Sequence, residues 1–180
     1  MIIVAKNHRQ VVLRSFNSDD LENLFDYLQG LSAKTKKLFG PHPFDKQSII
    51  DLYKNPNQYL GYIAEVMDTK KVVAYSIIKI GYLQHDSFRL QSYGLKLDKN
   101  KDCTFAPSVA DLWQSYGIGN AMFNFIYSDI KTKGIKRIIL WGGVQSNNER
   151  AINYYNKNGF RVLGQFENNG QNYDMILENI

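Results

Sequence analysis

Gln114-Ser115-Tyr116-Gly117-Ile118-Gly119-Asn120 stands between an extended run, Cys103 to Ala110, and a helical one. In the latter, Ile118, Ala121, Met122, Phe125, Ile126 and Ile130 recur at spacings of three and four, which predicts an amphipathic helix opening at the two glycines. Gly134 follows at the C-cap position. A strand, a glycine turn and a helix leave the first-turn backbone N–H groups aimed at one point. The helix dipole adds roughly half a positive charge there, so the stretch predicts an anion site that a pyrophosphate would fit. The same glycines also suit a tight turn with close helix–sheet packing and no ligand.

Two other phosphate loops fail on the residues. The third glycine of a dinucleotide fingerprint falls at Met122, and Gly142-Gly143 stands where its acidic residue would end the next strand. No Gly-Lys-Ser or Gly-Lys-Thr occurs, which excludes a P-loop.

Working outward, Arg137 to Val144 reads as a buried strand and Glu149 to Asn158 as a helix closed by Gly159. Phe160 to Phe166 and Tyr173 to Leu177 read as strands around Asn168-Asn169-Gly170. Upstream, a strand at Gln10 to Arg14 precedes the N-cap cluster Asn17-Ser18-Asp19-Asp20 and a helix carrying Leu21, Leu24, Phe25 and Leu28. Gly30 to Phe44 is polar and basic, and a short helix from about Asp45 to Tyr53 ends before Pro56. Tyr59 to Val66 and Val72 to Tyr82 predict an antiparallel hairpin turning at Asp68-Thr69-Lys70-Lys71. Arg89 to Leu97 and Cys103 to Ala110 read as two further strands of a meander, joined at Asp98 to Asp102. Antiparallel strands followed by strand-helix-strand-helix-strand predict an α/β (α+β) fold: a mixed, mostly antiparallel central sheet flanked by helices. With no repeat and no linker, residues 1–180 read as a single domain.

Composition narrows the function. The 180 residues are 44% hydrophobic and 22% charged, too apolar for disorder and enough for one core. A single cysteine, Cys103, excludes an internal disulfide and a cysteine-built metal site and agrees with a reducing, cytoplasmic location. His8, His42 and His85 lack metal-ligand spacing, so no metal is expected. Met1 to Ala5 runs at once into Lys6-Asn7-His8-Arg9, unlike a signal peptide, and no apolar run approaches the roughly 18 residues of a membrane span. The net charge of +5 favours a polyanionic partner. The basic residues are scattered, with no nucleic-acid module, so a phosphorylated cofactor is expected and nucleic acid is not.

Gln114-x-x-Gly117-x-Gly119 resembles the coenzyme A pyrophosphate signature of the GNAT superfamily of N-acyltransferases, Arg/Gln-x-x-Gly-x-Gly/Ala. Asn148-x-x-Ala151-Ile152-x-x-Tyr155-x-x-x-Gly159-Phe160 is similar to that superfamily's second signature, in the right order and at a fitting distance. The resemblance implies acetyl-CoA as co-substrate, with the backbone N–H groups of Ser115, Tyr116, Gly117, Ile118, Gly119 and Asn120 on its phosphates. Gln114 fills a position that is often arginine and shapes the loop or touches the ligand. Pro107, Ser108 and Val109 would pair with the pantetheine arm, and Pro107 donates no ladder hydrogen bond. The N–H of Val109 would stabilise the developing oxyanion, unless Val109 is an ordinary edge residue.

Tyr155 aligns with a tyrosine that donates to the leaving thiolate, although Ala151, Ile152 and Tyr155 also make an apolar helical stripe. Asn148 would bond the coenzyme arm or serve as an N-cap. A base for the amine is the least defined part. Asp102, at the start of the strand that enters the site, is the candidate, with Glu65 and Asp111 behind it; all three also read as plain surface charges. Cys103 with His85 would be a nucleophile pair only if a partner motif existed, and none does.

The expected reaction is transfer of an acyl group, acetyl first, from acetyl-CoA to a primary amine of a small molecule or peptide, by direct attack in a ternary complex. Two other readings are open: a coenzyme A binding sensor or scaffold without turnover, and a nucleic-acid binder whose affinity would fall with salt. The aromatic residues admit a homodimer.

Overall fold

The computed structural model describes residues 1–180. It divides into two compact units, Met1–Ile78 with Ala106–Ile126, and Lys79–Phe105 with Tyr127–Ile180.

The first unit holds β1 (Ile2–Val4), β2 (Gln10–Ser15), α1 (Leu21–Gly30), α2 (Ala33–Leu38), α3 (Lys46–Tyr53) and β3 (Tyr59–Val66). It also holds most of β4 (Val72–Ile80), the end of β5 (Asp102–Val109) and the start of α5 (Ile118–Thr132). Its strands are hydrogen-bonded in the order β1-β2-β3-β4-β5. β1 and β2 are antiparallel from Ile2↔Val12 to Val4↔Gln10, and β2 and β3 from Val11↔Val66 to Ser15↔Tyr62. The chain enters α1 as the sequence predicts. Asn17 accepts from Asp19 N–H, and Asp20 accepts from Asn17 N–H, forming a reciprocal cap. Leu24 and Leu28 then lie fully buried, one turn apart. Of the predicted stripe of α5, Ile118, Met122, Ile126 and Ile130 are buried at 1%, 2%, 0% and 0% exposure, and Ala121 and Phe125 are partly buried.

The second unit holds the end of β4, α4 (Ser87–Ser92), the start of β5, β6 (Arg137–Leu140), β7 (Val144–Gln145), α6 (Glu149–Lys157), β8 (Arg161–Glu167) and β9 (Gln171–Glu178). β5 and β6 are parallel, from Asp102↔Arg137 to Phe105↔Leu140. β9 is antiparallel to β6, β7 and β8. Leu90, Ile139 and Ile176 form a buried cluster with Tyr93, Leu95, Leu97 and Leu163 against it. The result is the mixed, mostly antiparallel open sheet with helices expected from the sequence.

Four local expectations need correction. Arg89 to Leu97 is not a strand: a turn at Gln84–Asp86 leads into α4, which Gly94 closes in the left-handed region at φ 83°. Arg89 explains the helix, because it pairs with Asp86 one turn back at 2.9 Å and with Asp174 at 2.7 Å while lying 3.7 Å from the Phe166 ring centre. Tertiary ion pairs override an ambiguous apolar pattern there. Second, the polar stretch Gly30 to Phe44 contains α2, capped by Ser32. Third, Arg137 to Val144 is broken into β6 and β7 by Gly142 and Gly143, at φ 67° and 76°. Finally, β1 lies within the N-terminal residues read only as unlike a signal peptide. No helix is long and apolar enough to cross a membrane.

Candidate active site

β5 crosses the region as two different strands. Its parallel register with β6 ends at Phe105↔Leu140, and Trp141 N–H still reaches Phe105 C=O at 3.0 Å. β5 itself continues through Ala106, Pro107 and Ser108 to Val109. Along this last stretch the strand is held through Ser108, whose Oγ donates to Tyr75 C=O (3.2 Å) and accepts from Tyr27 Oη (2.9 Å). Burial, first of all, pushes the Tyr27 hydroxyl above the ordinary phenol value, so it stays a donor. Ala110 N–H then donates to Val73 C=O at 2.8 Å.

A helical turn at Asp111–Trp113 leads to Gln114, whose Nε2 donates to Val109 C=O at 3.0 Å. This bond ties the Gln114 side chain back to the strand end. Ser115 and Gly117 both take left-handed backbone, φ 69° and 89°. For serine this conformation is costly and marks a constrained turn. Between them Tyr116 C=O accepts Lys6 N–H at 3.1 Å, which anchors the loop to the N-terminal segment. The first intrahelical bond of α5 runs from Ala121 N–H to Gly117 C=O, 3.1 Å, so Ile118, Gly119 and Asn120 form the first turn. A Cβ built on Gly117 meets nothing within 4 Å. The glycine is thus required by its φ, and the space beside it is open.

The carboxylates considered as bases are all held by other groups. Asp102 is fully buried; its oxygens receive Arg137 Nε and Nη2 at 2.7 and 2.9 Å, and Asp98 N–H at 2.8 Å. Asp102 is a buried ion-pair partner, so the expectation of a plain surface charge is corrected, and its occupied oxygens argue against the base role. Glu65, 6% exposed, pairs with Arg14 at 2.7 Å and Lys70 at 3.7 Å. Asp111 is exposed, and its carboxylate accepts from Thr35 Oγ1 (2.7 Å), Ser32 Oγ (2.9 Å) and Ser32 N–H (3.1 Å). The Thr35 hydroxyl, first, and the Ser32 donors hold it below the ordinary carboxylate value.

In the second unit, Tyr155 is 8% exposed, with its ring 5.2 Å from that of Tyr154 and 5.4 Å from that of Phe160. Burial alone raises its hydroxyl above the ordinary phenol value and keeps it protonated. Asn148 is the N-cap of α6, accepting Ala151 N–H at 3.3 Å. Cys103 is fully buried, and burial pushes its thiol well up, unlike a nucleophile.

A buried polar chain beside Tyr27 carries no sequence signal. His42, 9% exposed, reaches Pro43 C=O through Nδ1 (2.7 Å) and the Tyr75 hydroxyl through Nε2 (3.2 Å); Tyr75 in turn meets Tyr53 Oη at 2.6 Å. A carbonyl only accepts, so Nδ1 carries the proton. Burial lowers the His42 pKa, so the ring is neutral and Nε2 accepts from Tyr75. His42, expected as an ordinary loop histidine, is part of the core.

With this geometry established, comparison with known proteins defines the class. The profile of the Acetyltransferase (GNAT) family matches residues 25–160. The chain belongs to the GNAT acetyltransferase family. Among solved structures it is similar to the GNAT domain of S. lividans PAT, at 17% identity and TM-score 0.74, covering 99% of this chain and 96% of that one. It is also similar to an acetyltransferase of the GNAT family from Streptococcus pneumoniae, at 17% identity, TM-score 0.70 and 94% and 99% coverage. A third is spermidine N-acetyltransferase from Vibrio cholerae, solved in complex with CoA and spermine, at 16% identity, TM-score 0.68 and 94% and 95% coverage. At such identities these likenesses establish the fold alone. No curated protein sequence matches the chain.

Proposed function

We propose that the protein transfers an acetyl group from acetyl-CoA to a primary amine of a small molecule or peptide, by direct attack, with the coenzyme pyrophosphate on the loop Gln114–Asn120. The observation that carries this reading is the left-handed pair Ser115 and Gly117, which turns the chain into the first turn of α5 beside open space. Membership of the acetyltransferase family and the solved CoA complex of the Vibrio cholerae relative support the choice of ligand. Backbone N–H groups at a helix start suit a pyrophosphate without any special side chain.

In the proposed reaction the amine lone pair attacks the thioester carbonyl, the C–S bond breaks and the thiolate leaves with a proton. Val109 N–H is the proposed oxyanion donor; its support is the Gln114 bond to the carbonyl of the same residue, which fixes the strand end. Tyr155 is the proposed hydrogen-bond donor to the leaving sulfur, supported by the burial that keeps its hydroxyl protonated; the proton that ends on the thiol is the one the amine nitrogen gives up. Asp102 has no part in the proposal. With Glu65 and Asp111 also engaged, the amine reacts as its free base or loses its proton to water, so the rate should rise with pH toward the pKa of the acceptor amine.

Thermal unfolding with and without acetyl-CoA tests the reading, since a ligand that binds only the folded state raises the midpoint. The expected result is a rise that adenine nucleotides do not match, followed by release of free thiol with an amine present. No shift at about millimolar acetyl-CoA, against the micromolar to millimolar range of ordinary enzyme substrates, removes the loop assignment and the function with it.

A further inference from the structure

The loop has a basic neighbour in the same unit. α2 reads Ala33-Lys34-Thr35-Lys36-Lys37-Leu38, and its start is fastened from outside by Asp111, which takes the three Ser32 and Thr35 donors described above. Asp111 lies two residues beyond Val109 and three before Gln114, so the clasp ties α2 to the stretch that leads into the loop. It also occupies the carboxylate with amide and hydroxyl donors, which leaves the lysines without a counter-ion. Lys36 bonds to Gln29 C=O at 2.9 Å. Lys34 and Lys37 are exposed, lie three residues apart on one helical face and form no ion pair. Like charges at that spacing repel modestly, and an anion placed between them relieves the repulsion.

We propose that Lys34 and Lys37 form a cationic subsite for an anionic group on the ligands that the loop Gln114–Asn120 receives, and that Asp111 is the positioning residue that keeps α2 in place for it. The proposal rests on the reading of that loop as the coenzyme A site. Two groups supply such an anion: the ribose phosphate of the coenzyme, which lies outside its pyrophosphate, and a carboxylate on the acceptor. Polycationic amines are the class that this face disfavours.

The test measures calorimetric binding of CoA and of 3′-dephospho-CoA, and then, on the CoA-saturated protein, of an acidic dipeptide and its amide. The proteins are wild type, Lys34→Gln/Lys37→Gln and Asp111→Ala. Glutamine keeps helix propensity at these exposed sites, so the double variant should fold with an unchanged melting temperature. Loss of about tenfold in affinity for CoA, roughly 1.4 kcal/mol, with dephospho-CoA unaffected, identifies the coenzyme phosphate. A like loss confined to the acidic dipeptide identifies the acceptor carboxylate. Asp111→Ala should reproduce part of whichever preference is lost, which a purely structural role for the clasp would not do. A wild type with neither preference, or a double variant that keeps the wild-type preference, overturns the proposal. Failure of wild type to bind CoA at all would overturn the loop reading instead, a distinct result.

Discussion

The two ends of β5 are built from opposite chemistry. At its start, Asp102 is fully buried against Arg137 and three charge-assisted hydrogen bonds fill its carboxylate, while the strand pairs in parallel with β6. At its end that parallel pairing has stopped, and neutral groups hold the backbone: Tyr27 to Ser108, Ser108 to Tyr75, Gln114 to Val109. A buried ion pair is rigid but brings a strong local field, whereas hydroxyl and amide bonds fix geometry without committing charge. The second construction suits an end proposed to receive phosphates and a developing oxyanion, and Asp111, two residues beyond Val109, is turned to Ser32 and Thr35.

Breaking the charged end should have the largest effect. Asp102→Ala leaves the largely buried Arg137 with Lys96 C=O but no counter-charge, and truncating one member of such a pair costs about 3–5 kcal/mol. Denaturant unfolding should show that loss, and whatever protein remains folded should retain acetyl-CoA binding. A variant of normal stability with abolished turnover would instead return Asp102 to the catalytic list. Next in size is Ser108→Ala, which strands the buried Tyr27 hydroxyl and should cost about 1–3 kcal/mol. Adding Tyr27→Phe removes the orphaned group, so the double variant should recover part of the loss. Additive losses in that cycle would show that the Tyr27–Ser108 bond contributes nothing to holding the strand end.

How far these ends could be read beforehand follows from the range of the forces. The loop and α5 were legible because an apolar stripe and two glycines are local signals, and Ile118, Met122, Ile126 and Ile130 of the predicted stripe are buried. The Asp102–Arg137 pair spans 35 residues and the Tyr27–Ser108 bond 81, and no spacing rule reaches across such distances. That is why Asp102 reads as a free carboxylate in the sequence. α2 is hard to read for a different reason: its six residues carry lysines and no apolar period, and the Asp111 carboxylate that accepts from its cap residue Ser32 lies far along the chain. The Arg89 segment shows the reverse error: it reads as a strand, while Asp86 one turn back and the distant Asp174 hold a helix.

At the open end, Gly117→Ala should separate binding from stability. Left-handed backbone costs an alanine roughly 1–2 kcal/mol, yet the added methyl finds free space, so the protein should fold with a modestly lower midpoint. The stabilisation by acetyl-CoA should fall by more than the midpoint does, since relaxing the turn moves the N–H groups of the first turn of α5. Equal losses with and without ligand would make Gly117 a turn glycine only.

The smallest effect belongs to Asp111. Its carboxyl is held below the ordinary value of 3.8 by Thr35 and then by Ser32, so the folded state binds its proton less readily than the unfolded chain. The stability it supplies is therefore complete above the ordinary value and is lost as pH falls through the lower, folded value. Because the group is mostly exposed, solvent screening limits the gain to below about 1 kcal/mol. Asp111→Asn should then unfold like wild type at acid pH and slightly more easily at neutral pH. A variant equally destabilised at both pH values would mean that the clasp works through its hydrogen-bond geometry and that the charge of Asp111 is incidental to it.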